Sequence, residues 1–295
     1  MGRTAIFFAS GDAFFVGAAL LVCAALAHLS AQKWAGIIKR VLILLGAMFV
    51  ALSATPLSIW LYGVWGLAAA CLFFASQPRV TPRRRAWLTA APLMAASLLS
   101  AATEIPWHFT PHLASGGAER MFVIGDSITA GIGDGTLTWP ELLRQEKGIE
   151  VCDTSAPGLS AASALAAVRE VPAQAFVSAI VIIEIGGNDM LAYGTHPARF
   201  EKDLERLLAF VQRPGARVLM LELPLPPFHN RFGRIQRALA REYNVLVVPK
   251  RSFGAILANP HGTIDGLHLS QEGQRTLAAV MWNVAGPAFE ADAGG

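Results

Sequence analysis

Four apolar runs crowd into the first 104 residues of this chain, at about 12–29, 37–53, 57–75 and 86–103, and they restrict its fold more than any other feature. Each holds roughly 17–19 residues, which as helix at ~1.5 Å per residue nearly crosses a hydrocarbon core of ~30 Å. The expectation is a helical membrane region over 1–104 with about four spans. Thr55-Pro56 separates the second run from the third, since proline interrupts a continuous helix. The fourth run is rich in Ala and Ser and holds Pro92, so a re-entrant or surface helix is its alternative.

Charge divides along the same line. Residues 1–118 carry eight Lys/Arg against two Asp/Glu, whereas the remaining 177 carry sixteen against nineteen. A basic excess confined to the neighbourhood of apolar runs points to a lipid bilayer as partner and away from nucleic acid. Lys33, Lys39 and Arg40 fall between the first two runs, and Arg79, Arg83, Arg84 and Arg85 between the last two; across from them stands only Arg3. Positive charge stays cytoplasmic, so both termini and the domain after the fourth run are expected outside the cytoplasm, in a multi-pass protein of a bacterial inner membrane. Further spans follow the first run, which disfavours a cleaved signal peptide. Arg83-Arg84-Arg85 reads as a topology anchor and Asp12 as an interfacial acid. His108 and His112 have a metal-binding spacing but no acidic companion, so no metal is expected there. Of the three cysteines, Cys23 and Cys71 lie in apolar runs, leaving Cys152 alone in the polar half and no disulfide framework.

Residues 105–118, with two prolines and Gly116-Gly117, read as a linker; 119–286 as a second domain; 287–295 as a tail. In that domain short apolar runs at 121–124, 179–183, 217–221 and 245–248, and a weaker one at 149–152, look like buried strands. Helical periodicity fills 139–145, 161–169, 197–211, 231–243 and 270–284. This alternation predicts an α/β fold of three layers, a parallel sheet between two helical layers. Its chemistry should lie beyond the carboxyl ends of the strands.

Three motifs sit at that edge. The first strand runs into Gly125-Asp126-Ser127, where a serine hydroxyl is exposed at the head of a turn. The third runs into Gly186-Gly187-Asn188-Asp189, where an amide can donate to an oxyanion. Near the C-terminus, Asp265 stands three residues before His268, close enough to hold Nδ1 and leave Nε2 free to take a proton from a serine. Any one of these is an ordinary loop; their conjunction, in this order, predicts nucleophilic catalysis. Asp126 and Asp189 read as loop braces.

With Gly158 of Ser155-Ala156-Pro157-Gly158 added, these motifs resemble the blocks of the SGNH (GDSL) hydrolases, in particular their lysophospholipase/thioesterase branch, over Glu119 to Trp282. The resemblance implies a flavodoxin-like domain with Ser127 as nucleophile, His268 as base and Asp265 as its orienter. It also implies an oxyanion hole from the Ser127 and Gly158 N–H groups and the Asn188 side chain. Ala156-Pro157 depart from the polar surroundings usual for that glycine.

No cofactor is expected. Gly131-x-Gly133-x-Gly135 lacks dinucleotide-loop spacing, and neither a P-loop nor a His-Glu-x-x-His zinc motif occurs. No Gly-x-Ser-x-Gly elbow surrounds Ser127, which excludes an ordinary α/β-hydrolase. The expected function is a membrane-anchored serine esterase or thioesterase acting on lysophospholipid or fatty-acyl esters, with Leu191, Tyr193 and Phe228 as apolar acyl contacts. A carbohydrate O-acetylesterase acting on an exported polysaccharide or cell-wall polymer is the alternative, and a non-catalytic membrane scaffold the third.

Overall fold

The computed structural model describes residues 2–30, 32, 34–75, 82–133, 135–191 and 195–290. Lys33, Arg79 and Tyr193 lie outside the described residues. Internal contacts divide the chain into two units: Phe7–His108 together with Leu225–Asn230, and the remainder.

The first unit is helical. After the short α1 (Arg3–Ala9) come α2 (Asp12–Leu29), α3 (Ala35–Leu52), α4 (Ile59–Phe74) and α5 (Arg83–Glu104), the last extended by a 3₁₀ turn to His108. By length and composition, α2, α3 and the Arg83–His108 stretch are long and apolar enough to cross a membrane. The third run forms a helix of only 16 residues, ~24 Å long. The fourth, the run with the alternative reading, is the longest helix of the unit and continues through Pro92. Lys39, expected in a loop, lies inside α3, where its ammonium is buried and donates to the Ala75 carbonyl at 2.8 Å.

α2 packs on α3 and α5. A side chain at Gly17 would come within 2.8 Å of the Gly46 carbonyl oxygen, and one at Gly46 within 2.7 Å of Leu21, so the two glycines let the backbones meet. Phe14, Ala18, Leu21, Ile43, Val50 and Leu93 fill the interior. Two interhelical polar contacts, Trp65 Nε1 to the Ser100 hydroxyl at 3.1 Å and Thr89 to His28 at 3.0 Å, hold α4 and α2 to α5.

The second unit is built on five parallel strands in the order β2-β1-β3-β4-β5: β1 (Arg120–Gly125), β2 (Glu150–Asp153), β3 (Ile180–Glu184), β4 (Arg217–Leu221) and β5 (Leu246–Val248). The helices between them are α6 (Ser127–Ala130), α7 (Trp139–Lys147), α8 (Ala161–Arg169), α9 (Gly187–Leu191), α10 (Pro197–Val211), α11 (Asn230–Glu242) and α12 (Lys250–Ala258), with α13 (Gln271–Ala285) closing the unit. Every side chain of β3 is buried, which explains the uninterrupted apolar run: a parallel strand covered on both faces has no polar side. The period of two still assigns the faces. Met121, Val123, Ile180, Ile182, Leu219 and Leu221 pack with Trp139 of α7, Phe253 of α12 and Met281 of α13. Phe122 points the other way, onto Phe176 at 4.6 Å between ring centroids.

α12 has no counterpart in the periodicity reading, which names no element between 248 and 270. Pro249 opens it and Phe253, Ile256 and Leu257 bury its inner face. Residues 109–118 of the stretch expected to be a linker and 287–290 of the expected tail are tied into this unit. Leu113 N–H donates to Val284, Ala118 N–H to Ala288, and Gly286–Phe289 form a 3₁₀ turn with Ala288 buried. Their few apolar residues found cover against α13, and the main-chain bonds followed.

The order 2-1-3-4-5 reverses direction between β1 and β3, the point at which a crevice opens beyond the strand ends. Ser127 follows β1 and Asn188 follows β3, so the two loops flank that crevice.

Candidate active site

β1 and β3 end in register, Gly125 beside Glu184. The chain then turns at once into α6, and this turn leaves no room for a side chain at residue 125: a Cβ there would sit 2.4 Å from that of Thr129. Asp126 caps α6, its Oδ1 accepting from Ile128 N–H at 3.0 Å, and Ser127 becomes the first residue of the helix. Its hydroxyl lies 3.1 Å from His268 Nε2.

His268 is held by its own loop. Asp265 Oδ2 accepts from Nδ1 at 2.6 Å, while Oδ1 takes the N–H groups of Leu267 and His268 at 2.9 and 2.8 Å. Gly266 turns the loop with φ of 89°, and Ile264 N–H closes it on the His268 carbonyl. Donation from Nδ1 leaves the Nε2 lone pair facing the serine hydroxyl. The bonds from His268, its ring foremost, hold the Asp265 carboxyl well below the usual carboxylate range. Ser270 then caps α13 through Gly273 N–H, fixing where the loop ends.

Gly158 occupies a β-turn closed by Leu159 N–H on the Ala156 carbonyl. Pro157 stands second and Gly158, with φ of 80°, third, which is the residue chemistry of a type II turn. That explains the Ala156-Pro157 departure. Ala156 N–H also bonds the Gly125 carbonyl, tying this turn to the end of β1. Among the described residues, neither the Ser127 nor the Gly158 N–H has an internal acceptor.

Asn188 is more committed than expected. Its Nδ2 donates to Asp126 Oδ2 at 3.1 Å and to the Leu159 carbonyl at 3.0 Å, which engages both amide hydrogens. An oxyanion would have to take one of them from its present acceptor. Asp189 braces the next loop, accepting from Ala161 N–H at 2.9 Å, and burial raises its carboxyl above the ordinary value. Of the expected acyl contacts, Leu191 is exposed on α9, and Phe228 is exposed in the Leu225–Asn230 segment grouped with the helical unit.

Sequence reasoning passed over three supporting residues. Gln274 of α13, wholly buried, accepts from Trp139 N–H at 2.8 Å and donates to the Ile128 carbonyl, so it locks α7 and α13 to the turn after Ser127. Glu184, buried at the end of β3, accepts from the Thr129 hydroxyl at 3.0 Å and from Asp126 N–H at 3.3 Å. Thr129 in turn accepts from the Trp139 indole. The one visible signal was a carboxylate closing an otherwise apolar strand, Ile180-Val181-Ile182-Ile183-Glu184.

The family model described as GDSL-like Lipase/Acylhydrolase matches residues 123–276, a stretch that begins in β1 and ends in α13. The chain is 32% identical to Esterase TesA of Pseudomonas aeruginosa over 187 residues, 58% of this chain and 89% of that protein. It is 28% identical to an arylesterase of Vibrio mimicus over 177 residues, 56% of this chain and 87% of the relative. A crystal structure of TesA superposes with a TM-score of 0.50 at 29% identity, covering 57% of this chain and 98% of that one. The chain therefore belongs to the GDSL-like lipase/acylhydrolase family. It is a serine ester hydrolase with a parallel α/β catalytic domain.

Proposed function

We propose that this protein is a membrane-anchored esterase or thioesterase that cleaves lysophospholipid or other fatty-acyl esters through an acyl-enzyme on Ser127. The observation that carries the reading is the hydrogen-bonded line from Asp265 through His268 to the Ser127 hydroxyl. In the proposed mechanism His268 takes the serine proton as the oxygen attacks the acyl carbonyl, and Asp265 stabilises the imidazolium that results. The Ser127 and Gly158 N–H groups receive the oxyanion, and Asn188 joins them by releasing one of its present acceptors. His268 then protonates the leaving group and, in the second half, activates the water that frees the acid.

An apolar acyl group is favoured by what stands around the site. Ile132 after α6, Leu191 on α9, and Ile264 and Leu267 on the histidine loop are all exposed, although they are large and apolar. Residues of that kind gathered on the loops bearing the reactive groups suit a fatty chain better than a sugar. Long-chain nitrophenyl esters should be cleaved with higher kcat/KM than the acetate; a strong preference for acetate would replace the lipid reading with the carbohydrate O-acetylesterase one. A fluorophosphonate should label the wild-type protein and not Ser127→Ala.

Anchoring rests on the three membrane-length helices and the basic residues near their ends. The proposed orientation keeps the catalytic domain outside the cytoplasm. A reporter fused after Gly295 that works only in the cytoplasm would reverse it.

A further inference from the structure

Behind the nucleophile turn lies a pair of acids with no lysine or arginine to balance them among the described residues. Glu184 is 1% exposed and Asp126 2%, and among the described residues neither has a lysine or arginine partner. The charged groups acting on the pair are Asp189 from α9 and His268 from the loop before α13, both through Asp126. One Glu184 oxygen accepts two hydrogen bonds, while the other, Oε1, is buried with no partner. An ionised carboxylate so placed would carry a full charge, an unsatisfied acceptor and an adjacent like charge. A neutral acid removes all three faults, because its proton gives the carboxyl something to donate to the neighbouring Asp126.

We propose that Glu184 is a positioning residue of the esterase site, held as a neutral acid that clamps the Ser127 turn through Asp126 N–H and Thr129 and donates to the Asp126 carboxylate, which in turn holds the Asn188 amide. Burial, and then the Asp126 charge, push the Glu184 carboxyl well above its ordinary value, the direction that favours the neutral acid. The inference rests on the reading of Ser127 as nucleophile and Asn188 as oxyanion donor. Glu184 itself touches no substrate.

The test compares Glu184→Gln and Glu184→Ala in the full-length protein, with nitrophenyl ester turnover measured from pH 6 to 10. Glutamine keeps the shape and the neutral state, so it should hold kcat within about threefold of wild type at pH 7. Alanine leaves Asp126 and Thr129 unpartnered, and should cut kcat by roughly 10- to 100-fold with KM little changed. If glutamine is as damaging as alanine while still folded by circular dichroism, the proposal is overturned. Loss of folding in the alanine variant would leave the glutamine comparison to decide. Ser127→Ala separates the two readings: residual wild-type turnover there would sink the nucleophile assignment itself, whatever Glu184 does.

Discussion

The two units of this chain place their apolar side chains in opposite ways. In the helical unit Leu67, Leu88 and Leu99 are about two-thirds exposed, and the contacts that join the helices are made by small residues, Gly17 against Gly46, and by a few hydroxyl and indole hydrogen bonds. In the catalytic unit the central strands β1, β3 and β4 are buried, and several of the large apolar residues left exposed, Ile132, Leu137, Ile264 and Leu267, stand in the loops after α6 and before α13. The proposed bilayer would make the difference one of solvent. Helices in an apolar medium gain nothing by hiding leucine and associate by close backbone approach, whereas a domain in water is driven together by burial. Exposed apolar side chains therefore carry different information in the two units. In the first they report the proposed bilayer, and in the second they mark where substrate is expected.

That contrast can be broken from either side. The largest effect should come from Ser127→Ala or His268→Ala, with kcat falling on the order of 10⁴- to 10⁶-fold while the thermal midpoint barely changes, because these groups act on the reaction and pack little. Steady-state kinetics paired with a melting curve reads both. Asn188→Ala should lower kcat by about 10²- to 10³-fold, in keeping with loss of one oxyanion donor. It should also lower the midpoint by a few degrees, since Asp126 Oδ2 and the Leu159 carbonyl lose their donor. An unchanged kcat would remove Asn188 from the proposed oxyanion hole.

On the helical side, Gly17→Leu should destabilise the detergent-solubilised protein by about 1–3 kcal/mol, since its Cβ alone would fall 2.8 Å from the Gly46 carbonyl. Gly63→Leu, where a Cβ meets nothing within 4 Å, is the control that should cost little. Equal effects at the two positions would mean that the helices do not associate through backbone contact.

The smallest effect concerns pH. The Asp265 carboxyl is held below its ordinary value in the folded protein, so its contribution to stability is present above the unfolded pKa and is lost as pH falls through the folded one. Asp265→Asn should therefore flatten the acid side of the stability profile between about pH 4 and pH 2. Because Asp265 is half exposed the loss should be slight, read in melting curves as a small deficit that is fully present above pH 6 and closes as pH falls.

What was readable without coordinates was whatever depends on neighbours in sequence. Strand and helix positions followed from local periodicity, and Asp265 could be paired with His268 because a three-residue separation on one loop permits little else. The type II turn at Gly158 was latent in Ala156-Pro157-Gly158 but was read only as a departure from a family pattern. α12 was missed because a nine-residue helix begun by Pro249-Lys250 shows too few periodic positions to separate it from a loop. The main-chain bonds of residues 109–118 and 287–290 were not legible for a related reason: glycine, proline and alanine say that a segment is not a helix or strand, and nothing about what it will bond to.

Sequence alone determined that this chain has an apolar helical half and a parallel α/β half, and which three motifs are the candidates to carry reactive groups, because both depend on patterns a few residues long. Tertiary structure decided that Ser127 meets His268 across 141 positions of chain, that the Asn188 amide is spent on Asp126 and Leu159, and that a glutamate at a strand end is sealed beside another acid with no lysine or arginine partner among the described residues. Those are distances and exposures produced by the order of five strands, and a linear pattern holds no record of what the fold will set opposite a given side chain.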